Sequence, residues 1–311
     1  LTGIHSTGKV DLTTTGANLT VNQAIDTDDS SGRAVSLTAT SGGEIRLAAD
    51  ITSIGDQYYD GTARMAGDSV LTVGTAGNPS DIEFTGNILN FSGSTEVLTL
   101  ISDGAMSVGG YVQVDALALQ GETSVTLDDT SNQIGKLTAG TSAKRLIYLT
   151  VVSDTAMEVG TINGQSGIYV DKDVSLKTLA SDLTINDDIV ADGTVDPNAT
   201  PITRSTAIAL EATPSGKIQL GADLTAGQHM TLTGGAEVTA NSVLESEQGN
   251  ITFAGNTTSA AGTQRLSLIT GETLSHSGSM EIEELALQGI ADFTLDNSGN
   301  QIGLLAAGTS A

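Results

Sequence analysis

Short runs in which apolar residues alternate with Ser, Thr or a charge fill the chain. Examples are "VSLTAT" from Val35, "EIRLAA" from Glu44, "DIEFTG" from Asp81, "VLTLIS" from Val97, "YVQVDALAL" from Tyr111, "KIQLGA" from Lys217, "NITFAG" from Asn250 and "RLSLIT" from Arg265. A period of two predicts strands with one face inward and one face to solvent. Clusters of Gly, Asn, Asp and Ser separate the runs at roughly 8 to 12 residues, as turn chemistry requires. Nowhere does an i, i+3, i+4, i+7 apolar pattern persist with caps. The best helical candidate, "TPITRSTAIALEATP", is bracketed by Pro201 and Pro214. The alternation predicts an inward set of Val35, Leu37, Ile45, Leu47, Val73, Ile82, Phe84, Leu98, Leu100, Leu117, Leu119, Val125, Leu127 and Ile134. Its continuation further along is Ile208, Leu210, Ile218, Leu220, Phe253, Leu285, Leu287 and Ile302.

The strand pattern repeats at long range. "LALQG…VTLDDTSNQIGKLTAGTSA", from Leu117, returns as "LALQG…FTLDNSGNQIGLLAAGTSA", from Leu285, a shift of 168. The shift is 164 at Leu19 and Leu183, 173 at Ile45 and Ile218, and 169 at Phe84 and Phe253. Two copies follow, over 1–143 and 144–311, as one continuous solenoid. The second copy gains nine residues near "VADGTVDPNATPI" and is expected to lose four near "QYYDGTARM". Asn132 and Asn300, and the pair Asn87 and Asn256, survive in both copies. Each is expected at a coil corner with its amide bonded to the backbone of a neighbouring coil.

Composition then chooses among all-β architectures. With no Trp and only 3% aromatic residues, tandem immunoglobulin sandwiches and propellers lose their usual core residues. The 37 glycines and abundant Thr and Ser suit a parallel β-helix, whose coils stack at about 4.8 Å and leave little room for large rings. With coils of about 20 residues, the chain makes roughly fifteen of them. The net charge of −25 argues against nucleic acid and against an anionic membrane surface. No apolar run is long enough to cross a membrane as a helix. The absence of Cys removes disulfides and thiolate chemistry. The chain opens at Leu1 without Met and closes on "AGTSA", which recurs internally at Ala139–Ala143. Both ends are therefore expected to be cuts through a longer array.

"GDQYYDGTARMAGDSVLTVGTAGNPSDIEFTGNI", from Gly55, resembles the repeats of filamentous haemagglutinin-like exoproteins. So do "SGGEIRLAADI", from Ser41, and "SGNQIGLLAAGTSA", from Ser298. Gly55, Asp56, Gln57, Tyr59 and Gly61 match one family element; Asp68, Leu71, Thr72 and Val73 match the next. The second copy loses the Asp and Tyr of the first element. The resemblance implies a right-handed parallel β-helix, and a large secreted bacterial adhesin.

Candidate chemistry is sparse. His5, His229 and His276 stand in unrelated contexts without a second ligand at metal spacing and read as surface or loop residues. Paired carboxylates for glycan cleavage would have to come from Asp26, Asp28 and Asp29 with Arg33, or from Asp187 and Asp188. Tyr58 and Tyr59 are the one adjacent aromatic pair that could stack on a sugar. For calcium, no signature loop occurs, and the oxygen donors on offer are Asp26, Asp28, Asp29, Asp171 and Asp173. Sequons at Asn18, Asn198, Asn250 and Asn256 matter only in a glycosylating pathway. No cofactor is expected.

The sequence thus reads as a non-enzymatic shaft, extracellular or on a bacterial cell surface. Its expected partners are further copies of its own repeat and a host or neighbouring-cell surface glycan or protein. Contact is expected at loops Gln57–Met65 and Ala191–Thr203. The alternatives are a self-assembling filament, sheath or surface-layer subunit, and a polysaccharide-active β-helix enzyme. An enzyme should keep a unique acidic cleft in one copy, whereas a plain shaft should show none.

Overall fold

A computed structural model describes residues 3–75, 78–91, 93, 95–193, 206–260, 264–289 and 292–308. Among them there are strands and turns and no helix. The chain visits three sheets in a fixed order. Ile25–Thr27 lies in the first, Arg33–Thr40 in the third, Glu44–Leu47 in the second, and Ile51–Ser53 is back in the first, parallel to Ile25–Thr27. Every pairing between named strands is parallel, so each circuit is one coil laid on the last. The long strands Val112–Gln120, Gln133–Ala139, Met280–Gly289 and Gln301–Gly308 run through the second and first sheets without a break. They join the two into one 23-stranded ladder. The third sheet divides into ladders of 5 and 8 strands.

The molecule is a β-solenoid of about 12 turns, fewer than the fifteen expected. The coils are longer than 20 residues because the corners carry extra turn residues. The step is 21 residues at Ile4↔Ile25, 26 at Ile25↔Ile51, 29 at Leu71↔Leu100 and 35 at Ile189↔Leu224. At about 4.8 Å per coil the stack is about 60 Å long. Pairing continues across the boundary between the copies, from Lys136↔Glu158 to Ala139↔Ile168.

The alternation sorts the side chains as period two requires. Ile25, Ile51, Leu71, Leu100 and Leu119 stack in one inward column of the first sheet. Ile45, Ala63, Ile88 and Val112 stack in the second. All these residues are buried, and so is every member of the predicted inward set except Ile302. Ile302 is half-covered because no described coil lies beyond its strand. Burying one such aliphatic side chain stabilises the fold by about 1.5–3 kcal/mol.

The corners carry a second, polar regularity. At twelve corners among the described residues an Asp or Asn directly before a strand turns its Oδ1 to the N–H of its registered partner in the next coil. The acceptors include Asn18 for Glu44 (2.9 Å), Asp50 for Val70 (2.9 Å), Asp81 for Ala105 (2.7 Å), Asp182 for Lys217 (2.8 Å) and Asp223 for Val243 (2.8 Å). Asn87 and Asn256 belong to this set, accepting from Tyr111 (3.0 Å) and Ser279 (2.9 Å). Asn132 and Asn300 reach the other way, to Val112 (2.7 Å) and Met280 (2.8 Å) of the preceding coil. Asn132 is buried, and its Nδ2 also donates to the Leu127 carbonyl at 2.9 Å.

The "LALQG" glycines mark another corner. Gly121 and Gly289 have φ of +131° and +121°, and a Cβ would sit 1.6 Å from the Ser102 carbonyl oxygen and 2.0 Å from that of Thr270. Only glycine fits where the backbone of one coil turns this closely over the previous one.

Two expectations fail here. The four-residue loss does not fall at "QYYDGTARM". That stretch pairs strand for strand with Met230–Thr233 and Gly235–Val238 at a constant shift of 173. The shortening lies between Val73 and Ile82, where eight residues become the four between Ser246 and Ile251. Nor is Gln57–Met65 a loop. It forms the strands Asp56–Asp60 and Thr62–Met65, with Gln57, Tyr59, Ala63 and Met65 buried. The other expected contact loop, Ala191–Thr203, begins in the strand Ile189–Ala191, and beyond Gly193 it lies outside the described residues.

Candidate functional site

The residues singled out for chemistry are dispersed. Asp26 faces His5 Nδ1 at 3.6 Å. Asp29 closes its own turn, accepting the Ser31 N–H at 2.9 Å and the Ser31 hydroxyl at 2.6 Å, which lowers its pKa. Asp173 and Asp188 belong to the corner set, holding the Ala207 and Asp223 N–H groups. Asp187 accepts the Thr161 hydroxyl at 2.8 Å. Among the described residues no three His, Asp or Glu side chains converge as a metal site. Arg33 lies over the Tyr58 ring at 3.4 Å and reaches Glu83 at 3.5 Å, away from the Asp cluster.

Tyr58 and Tyr59 do not form a stacking pair, because consecutive strand residues face opposite sides. Tyr59 points inward, is fully buried and stacks on Phe84 with centroids 4.4 Å apart. Its hydroxyl donates to Gln57 Oε1 at 2.7 Å. Gln57 Nε2 donates to the carbonyls of Ile51 (3.0 Å) and Thr72 (2.9 Å). Burial raises the Tyr59 pKa far above its ordinary value. The motif that carried the family resemblance is therefore a core network. His276 is likewise no surface histidine. It takes the inward place in register with Phe253, with Nδ1 2.9 Å from the Gly278 carbonyl and Nε2 3.0 Å from Thr257 Oγ1.

What the sequence reading missed is a groove on the first copy. Two short backbone pairings follow strands of the first sheet at the same corner. In one, the Thr75 and Asn78 backbones bond each other (3.3 and 2.9 Å). In the other, Thr141 and Lys144 do the same (2.8 and 3.2 Å). Their coils are three steps apart, Leu71↔Leu100↔Leu119↔Ala139, or about 14 Å. Between them lies a cleft of about 420 Å³ with Thr72, Ile101, Asp103, Glu122 and Lys144 among its lining residues. Lys144 Nζ reaches back to Asp103, 2.6 Å from Oδ1 and 2.8 Å from Oδ2, and Asp103 Oδ1 also accepts the Glu122 N–H at 3.1 Å. Burial pushes the Asp103 pKa up, but the Lys144 ammonium and the Glu122 amide outweigh it and hold the carboxyl below its usual range.

The groove belongs to one copy. The turn at Thr75–Asn78 sits in the stretch that the second copy shortens, and Asp103 and Glu122 correspond to Gly271 and Ile290. Neither Gly271 nor Ile290 carries a charge, and the shortening itself was legible in the sequence. Its position was not, because the alignment of Gly- and Thr-rich corners is ambiguous without the register.

A second charged patch pairs largely within itself, although Arg46 Nε is buried without a hydrogen bond. Arg64 gives Nε and Nη2 to Glu44 and Nη1 to the Asn90 carbonyl, and Arg46 and Arg64 both lie over Phe91. The second copy places Lys217, Gln219 and Glu237 at the positions of Glu44, Arg46 and Arg64, so the ladder keeps an ion pair with its polarity reversed.

No family model matches the chain, and no curated protein or solved structure is significantly similar to it. The likeness to haemagglutinin-like repeats therefore stands on the stacked parallel coils alone.

Proposed function

We propose that this chain is a segment of an extracellular, structural and adhesive shaft, of the kind that filamentous haemagglutinin-like proteins build. The observation that supports this most is the continuity of the stack: the inward columns, the three ladders and the corner Asp and Asn residues bind each coil to the next. Such a structure transmits position and load along its axis and leaves its outer faces to solvent. The charge of −25 keeps such rods apart in solution.

The groove makes the adhesive part of this reading concrete, since a bare shaft would show none. Its chemistry suits holding rather than turnover. Glycan hydrolysis needs one carboxyl kept protonated near neutrality, whereas Asp103 is held ionised by Lys144 and the Glu122 N–H. Antibodies raised against the purified chain test the reading on cells that express the parent protein. Labelling of intact cells is expected; labelling only after permeabilisation would overturn it.

A further inference from the structure

We propose that the groove between the Thr75–Asn78 and Thr141–Lys144 turns is the binding site for a short oligosaccharide free of acidic groups. The inference rests on the adhesive reading above and gives it a ligand class. At about 420 Å³ the cleft lies within the 300–1,000 Å³ typical of small-ligand sites. Its lining offers what a sugar requires, which is acceptors and donors side by side next to a small apolar surface. The Glu122 carboxylate and the Thr72 and Thr75 hydroxyls form no hydrogen bond with described residues. A carboxylate accepts from two vicinal hydroxyls at once, and Lys144 keeps one donor beyond the two directed at Asp103. Ile101, half-exposed on the floor, can meet the C–H face of a ring.

The groove is also pre-organised. Asp103 is fixed by Lys144 and by the Glu122 amide, and Gln165 ties the base of the second turn to the stack. Its Nε2 donates to the carbonyls of Leu119 (3.1 Å) and Gly140 (2.8 Å), while its Oε1 accepts from Gln120 (2.7 Å). Groups held this way lose little freedom on binding. Charge sets the class. Asp103, Glu122 and Lys144 sum to −1 within a chain of −25, so a uronate or sulfated glycan is repelled where a neutral or amino sugar is not.

Titration calorimetry with maltotetraose, cellotetraose, chitotetraose and tetragalacturonate tests this directly. At least one of the first three should bind at a single site. Glu122→Ala and Lys144→Gln should each weaken that binding at least tenfold, and Glu83→Gln, on the third sheet, should leave it unchanged. Glu122 is exposed and its side chain is uncommitted, so Glu122→Ala folds and the test stands even if Lys144→Gln unsettles the turn. No binding by any of the three, binding of tetragalacturonate alone, or wild-type affinity in both variants would overturn the proposal. Surface labelling of cells is independent of these results, so the shaft reading can survive a negative outcome here.

Discussion

Two inward amides show how much a single polar side chain depends on its partners. Asn132 replaces an aliphatic residue in the column Ile88–Val112, yet both ends of its amide are bonded, to the Val112 N–H and the Leu127 carbonyl. Asn90 stands in the column Leu47–Met65, with Oδ1 and Nδ2 buried and unbonded. An unpaired buried amide costs about 1–3 kcal/mol, and removing a partner from a satisfied one exposes the same penalty. Asn132→Leu should therefore destabilise the fold by about 1–3 kcal/mol, because it leaves the Val112 N–H unpaired. Asn90→Leu should stabilise it. Urea unfolding reads both, and equal signs for the two would refute this accounting. His276 supplies a pH dependence. The Gly278 carbonyl can only accept, so Nδ1 carries the proton and Nε2 accepts from the Thr257 hydroxyl. Burial, opposed in part by the Gly278 bond, depresses its pKa below 6.5. A depressed histidine contributes stability in full above the unfolded value, and that stability is lost as pH falls through the folded value. The urea midpoint should drop between pH 7.5 and 5, and His276→Leu should flatten the drop. An unchanged slope in that variant would assign the effect elsewhere.

At the scale of strands, the period-two pattern made the elements and nearly the whole inward set legible, because burying one face fixes the register. Functional groups were less legible for the same reason. Alternation decides which of Tyr58 and Tyr59 faces water, but their adjacency invited reading both as surface. Thr and Ser misled in a similar way. Many face inward at strand ends, where a hydroxyl passes its proton to a turn carbonyl, as Thr27 does to Gly8 (2.8 Å), Thr138 to Gly167 (2.8 Å) and Thr270 to Gly249 (2.6 Å). The corner Asp and Asn residues were visible as turn formers, but their bond to the next coil depends on a register that only the structure supplies. The groove was invisible because it joins residues from four coils. The Gln57–Tyr59 network offers a test of such pairings. The second copy fills these two positions with Met230 and Leu232, which are buried. Gln57→Met alone strands the Tyr59 hydroxyl and should cost about 1–3 kcal/mol. The double change to Met and Leu should recover most of it, since replacing both partners by apolar groups of similar shape is nearly neutral. Additive losses in the double variant would show that the network is not a coupled pair.

Over the whole molecule, two properties dominate: like charge spread along the surface, and contacts made mostly between adjacent coils, with a few side chains such as Lys144 and Gln165 reaching across two. Raising the salt from about 10 mM to 150 mM shortens the screening length from about 30 Å to 8 Å. With −25 on the chain, the urea midpoint should rise, and a fall would show that ion pairs such as Lys136–Glu158 and Lys177–Glu211 outweigh the repulsion. Stacking of this kind makes stability close to a sum of coils and coil–coil interfaces rather than one shared core. Pulling on the two ends of a single molecule tests that claim most directly. Coils of 20 to 35 residues, as between Ile51↔Leu71 and Ile189↔Leu224, should come away one or a few at a time, each releasing about 70–125 Å of chain. A single all-or-none rupture releasing about 1,000 Å would contradict the account.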